Sequence, residues 1–80
     1  MFVTYDSEAD ALYVRLADPD VEVAETDEVV DARIMVDYDA AGGVIGVEIL
    51  GATRSLDLTG VPEADKVAEA IRSLRHLATV

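Results

Sequence analysis

Cysteine is absent from the 80 residues and histidine occurs once. No disulfide can form, thiolate metal sites are excluded, and a single imidazole, His76, cannot build a zinc site of the usual kind. A small chain without such staples rests on packing or on self-association. Long apolar runs are missing too. Nothing approaches the roughly 18 consecutive apolar residues of a membrane span, and the opening MFVTYDSEAD has neither the basic segment nor the apolar stretch of a secretory leader. The expectation is a soluble, cytoplasmic protein with no membrane association. Basic residues are scarce, 6 against 17 acids, for a formal charge of -11. Nucleic-acid affinity depends on Lys and Arg displacing condensed counterions, so direct binding to nucleic acid is not expected.

What is present points to a folded unit. An apolar content of 51% with 29% charged residues lies well away from the low-hydrophobicity balance that keeps chains disordered. Residues 1–80 are read as one domain, and a chain this short buries only about 60% of its unfolded surface, so its core is thin. The charge is uneven. Asp6 to Asp31 carries ten acids and one base, Arg15, whereas Ala32 to Val80 carries seven acids and five bases. Such asymmetry would steer a basic partner toward the first half, and the same charge also keeps a protein in solution.

Short alternating segments precede one helical segment. FVTY forms a first strand, and ALYVRL places Leu12, Val14 and Leu16 on one side and Ala11, Tyr13 and Arg15 on the other. ADPDV supplies turn chemistry, and VEVAET offers a strand whose acids suit an exposed edge. ARIMVDY groups Ile34, Val36 and Tyr38, while VIGVEIL groups Ile45, Val47 and Ile49, with DAAGG between them as a hairpin turn. Residues 62–79 read as a helix, with Val67, Ala70, Ile71, Leu74, Leu77 and Ala78 on one face and Pro62 at the first helical position. Glu63 and Asp65 complement its N-terminal end, and Arg72, Arg75 and His76 its C-terminal end. The fold class is α+β: an antiparallel sheet of four to five strands built from hairpins, with the C-terminal helix packed on one face. One helix leaves the other face bare. In register, that face would present Tyr13, Arg15, Met35, Val44, Gly46, Glu48 and Leu50, which suggests a homodimer or a bound partner there.

Carboxylates recur in three places. In YDSEAD, Asp6, Glu8 and Asp10 alternate. Asp6 can accept hydrogen bonds from the N–H groups just after it, so the stretch reads as a hairpin turn, with a weak surface cation site as the other reading. DYDAAGGVIGVE fits a calcium-loop pattern at Asp37, Asp39, Gly42 and Glu48, but its flanks read as strands. Extended chain from Gly43 would carry Glu48 about 16 Å away at roughly 3.3 Å per residue, so no shared ion is expected. Glu48 itself sits in mid-strand, where it could pair with Arg15 or with a symmetry-related arginine across an interface. No nucleophile motif or phosphate loop occurs, so no enzyme activity, cofactor or metal is expected.

YDSEADALYVRL, then IMVDYDAAGGVIGVEIL followed at once by GATRSL, resemble the small prokaryotic family catalogued as domain of unknown function 2283 (DUF2283, YuzE-like). The resemblance covers roughly residues 1–56. It is carried by Tyr5 and Asp6, Asp10 with Leu12 and Tyr13, Asp37 and Asp39 with Gly42, and Gly46 through Leu50. Ala52 and Thr53 stand where the family usually shows Ala-Ser, and the helical tail from Pro62 is less typical. The family has no assigned reaction. The resemblance suggests an antitoxin-like partner of a small basic protein. Three functions follow as expectations: a small acidic protein-binding module, a self-assembling homodimeric domain, or, less favoured, a metal-assisted or acid-base enzyme using Asp6, Glu8, Asp10 and Glu48.

Overall fold

A computed structural model describes residues 1–79, with side chains through Ser73. Five strands, β1 (Phe2–Asp6), β2 (Ala11–Arg15), β3 (Glu25–Val30), β4 (Ile34–Tyr38) and β5 (Val44–Leu50), precede one helix, α1 (Ala64–Thr79). The strands form one antiparallel sheet in the order β1-β2-β5-β4-β3. Three hairpins account for most of that order, while the pairing of β2 with β5 joins the first hairpin to the other strands.

Alternation in the sequence becomes rows across the sheet. Val3, Val14, Val47 and Val36 lie opposite one another in turn, and so do Leu12, Ile49 and Ile34 in the next row. Of these, the six on β2, β4 and β5 are buried, and Val3 packs against them. Val67, Ala70 and Ile71 of α1 close over this face, joined by Val61 and Ala52 from the connector. These are the helical positions that the spacing selects. The expected apolar positions Leu74, Leu77 and Ala78, and the basic end Arg75 and His76, lie outside the described side chains. Among the described residues, no helix is long and apolar enough to cross a membrane.

Three local expectations are corrected. The strand expected over VEVAET instead begins at Glu25 and runs to Val30, because the Arg15 guanidinium holds the carbonyls of Asp18 and Val21 in an irregular connector. Helix α1 starts at Ala64 rather than Pro62. Glu63 has φ +58°, outside the helical region, and its carbonyl accepts the N–H groups of Lys66 and Val67 at the helix entrance. A register shift between Asp37 and Tyr38 sets Val44, not Ile45, opposite Tyr38. Val44 therefore packs against the core rather than on the second face, and Ile45 is buried outside the main cluster.

The turn from β3 to β4 carries strain. Asp31 and Ala32 have φ of +42° and +61°, and the Arg33 N–H donates to the Val30 carbonyl at 2.7 Å, the geometry of a mirror-image hairpin turn. Alanine is poorly suited to that region, which costs an L-residue roughly 1–2 kcal/mol. We expect Ala32→Gly to raise stability by about 0.5 kcal/mol once the extra chain entropy of glycine is subtracted, and Ile34→Ala to lower it by roughly 2–5 kcal/mol through the cavity it opens. Urea denaturation of both variants checks the pair.

Candidate functional site

The carboxylates singled out in the sequence are distributed among turns and one sheet face. Asp6 Oδ1 accepts the N–H groups of Glu8 (3.0 Å) and Ala9 (3.3 Å), which closes the turn from β1 to β2. Asp39 does the same for the turn from β4 to β5, where its Oδ1 accepts Ala41 N–H (2.9 Å) and Gly43 N–H (2.8 Å). Gly42, at φ +86°, makes that reversal possible. Both are turn carboxylates, as their sequence context indicates.

Asp10 has a wider role. Its carboxylate accepts the Tyr5 hydroxyl (2.7 Å), the Thr53 hydroxyl (2.7 Å) and the Thr53 N–H (3.1 Å), and its carbonyl accepts Ala52 N–H (3.1 Å). One aspartate thus ties the first hairpin to the turn after β5, 43 positions away. Donation by the Thr53 hydroxyl, then by Tyr5, holds the Asp10 carboxyl below the usual range. The Thr53 hydroxyl is thus one of the donors that fix the turn after β5 to the first hairpin.

A second assembly crosses the face opposite α1. The register gathers Tyr13, Arg15, Met35, Gly46, Glu48 and Leu50 there as expected, adds Asp37, which the expectation did not include, and leaves out Val44. Tyr13 stands directly opposite Glu48 but leans across β5, and its hydroxyl donates to Asp37 Oδ2 at 2.9 Å. Asp37 Oδ1 accepts the Thr26 hydroxyl at 2.6 Å, so the chain Tyr13–Asp37–Thr26 links β2, β4 and β3. Gly46 is what lets the phenol pass. A β-carbon there would overlap the Tyr13 hydroxyl and Cζ. Burial, then the hydrogen bond to Asp37, pushes the Tyr13 phenol up to about 12.

The ion pair expected between Arg15 and Glu48 does not form. Arg15 lies opposite Gly46, and its guanidinium donates to the carbonyls of Ala17 (3.4 Å), Asp18 (2.9 Å) and Val21 (2.8 Å). Glu48 sits between Tyr13 and Met35 in the adjacent row. Among the described residues the one ion pair is Lys66 with Glu63, at 2.9 Å. Among the same residues, no three acidic or imidazole side chains stand close enough to share a metal ion. An open depression lined by Leu16, Val44, Gly43, Glu63 and Lys66 contains none of the singled-out carboxylates.

Sequence reasoning missed Thr26, Thr53 and the steric role of Gly46. A glycine in mid-strand is the usual mark of a close approach, and here the approaching group is a side chain from the same face.

Fold and site together define a small α+β domain whose polar residues brace one sheet at its turns and across its open face. A family model described as "Protein of unknown function (DUF2283)" matches residues 3–52, and the chain belongs to that family. The matched stretch takes in the sheet from Val3 onward and ends well before α1. No curated protein and no solved structure matches the chain.

Two predictions arise from these networks. Because the Tyr13 phenol is raised in the folded state, the stability it contributes is complete below the ordinary phenol value and is lost as pH rises from about 10 toward about 12. Tyr13→Phe should remove that alkaline loss and cost about 1 kcal/mol at neutral pH, the low part of the range because the bond is half exposed. Asp10 has the opposite sign. Its contribution is present above the ordinary carboxylate range and is lost as pH falls through it, so Asp10→Asn should flatten the acid limb of a stability profile. Thr53→Ser should leave that limb intact, whereas Thr53→Val should weaken it; thermal melts from pH 2 to 7 would separate the three.

Proposed function

We propose that the chain is a small cytoplasmic binding module that engages a basic protein through strand β3 and the segment leading into it, in the manner of an antitoxin covering the charged surface of a small partner. One observation supports this above others. The aspartates at positions 6, 10, 37, 39 and 57 accept hydrogen bonds within the fold. Asp18, Asp20, Glu22, Glu25, Asp27, Glu28 and Asp31 are all exposed, and among the described residues their carboxylates accept none. Arg15 is the base nearest them in sequence before β3, and its guanidinium is already turned to backbone carbonyls of that same segment.

Charge arranged this way raises the rate at which an oppositely charged surface arrives, more than it holds the complex once formed. β3 is also an edge strand, so its acids stand at the rim of the sheet, where an approaching basic surface meets them first. The same charge also favours solubility, and the two roles differ in their dependence on position.

A tagged protein recovered from its native cells at low salt should carry a small basic protein that is lost at high salt. With that partner purified, Glu25→Lys, Asp27→Lys and Glu28→Lys together should slow association by roughly tenfold or more and change dissociation little. Charge reversal at Asp65 and Glu69 on α1 and at Glu63 just before it is the control. Equal slowing by both sets would assign the acids to solubility.

A further inference from the structure

We infer that β1 is a self-pairing edge, through which two copies of this chain join antiparallel to form one continuous ten-stranded sheet. The two edges of the sheet differ in kind. At the β3 edge Glu25, Asp27 and Glu28 project into solvent and a register shift follows Glu28, both devices that discourage strand addition. At the β1 edge residues 2–5 hold no charge, no proline and no bulge. Three of the four exposed large apolar side chains among the described residues belong to β1 or the residue before it: Met1 at 64%, Phe2 at 45% and Tyr5 at 45%. An edge so composed is left open to pairing.

The sequence of the strand selects a second copy as the occupant. Antiparallel pairing about a two-fold axis through Thr4 sets Val3 opposite Tyr5 of the other copy, and Tyr5 opposite its Val3. Both pairs fall on the helix-covered face, because Val3 and Tyr5 stand opposite Val14 and Leu12. Aromatic residues facing β-branched ones are among the favourable cross-strand pairs, and Thr4 meets itself on the other face, where hydroxyls pair well. The Tyr5 ring is already held in place, since its hydroxyl donates to Asp10 at 2.7 Å. Charge favours the same arrangement. Asp6, the one acid of the strand, then lies opposite Phe2 of the other copy, and the two Asp6 carboxylates stand roughly 13 Å apart along the strands, beyond the screening length in physiological salt. Parallel pairing in register would bring them side by side. Two copies joined through β3 would instead oppose rows of acids. A five-residue edge is a small interface, so the dimer should dissociate on dilution.

Thr4 gives a direct test, because it is exposed and would face only its own copy. By sedimentation equilibrium, the wild-type chain should show concentration-dependent association to twice its 8.6 kDa mass. Thr4→Asp and Thr4→Lys should each sediment as monomers with unchanged circular dichroism, and an equimolar mixture of the two should recover the dimer. The inference is overturned by a wild-type chain that remains monomeric up to its solubility limit, or by a dimer that survives in both single variants. It is likewise overturned if Met35→Asp, on the open face, abolishes association while Thr4→Asp does not. Binding of a basic partner at β3 is measured separately, on monomeric Thr4→Asp, so failure of either proposal leaves the other standing.

Discussion

The pairing of β2 with β5 is the constraint on which the rest of the structure depends. Every other strand contact is a hairpin between neighbours in sequence, and this one alone unites the amino-terminal hairpin with the remaining three strands. It places Val14 against Val47 and Leu12 against Ile49, completing the apolar rows that α1 covers. The same register puts Gly46 beside Arg15 and leaves a gap under Tyr13. A shift by one residue would turn the apolar row to the open face and close the gap, so core packing and the Tyr13–Asp37–Thr26 chain specify a single alignment together.

That dependence explains what the sequence could disclose. Asp6 and Asp39 act within four residues of themselves, and turn chemistry is local, so their roles are legible from YDSEAD and DYDAAGG. Periodicity likewise finds the core positions of β2, β4, β5 and the first turns of α1. Tyr13 and Asp37 are 24 positions apart on strands that are not even neighbours, and Asp10 and Thr53 are 43 apart. No local pattern encodes such contacts, since they exist only once strand order is known. The bulge beside Tyr38 was hidden for a related reason: alternation alone treats VIGVEIL as regular, and one inserted residue moved Val44 from one face to the other. Glu48 misled in the opposite direction. An acid among aliphatic residues invites an ion pair, but the available arginine had three backbone carbonyls nearer to hand.

The acids divide by function according to their place in the chain. Where the chain reverses, an aspartate replaces the hydrogen bonds that strands would otherwise supply, and the charge is consumed locally by N–H and O–H donors. Along β3 and the connector before it, the carboxylates accept no hydrogen bond among the described residues, and the charge is directed outward. Net charge alone would not reveal this division. It emerges only when each carboxylate is followed to its partner.

The two proposed surfaces lie on opposite edges of the sheet, and this has a geometric consequence. Joining two copies at β1 leaves both β3 strands at the outer ends of the enlarged sheet, each with its acids exposed and its backbone edge free. Because a two-fold axis through Thr4 stands normal to the sheet, the two helices fall on one face and the two Tyr13–Asp37–Thr26 chains on the other. Such a dimer would present two equivalent acidic rims facing away from each other, so it could hold two basic partners at once without either obstructing the other. A partner that is itself paired could engage both rims only if its spacing matched the width of ten strands, about 45 Å at roughly 4.8 Å per strand. Self-pairing would then set the geometry of recognition as well as protect the edge whose one acid, Asp6, lies at its end.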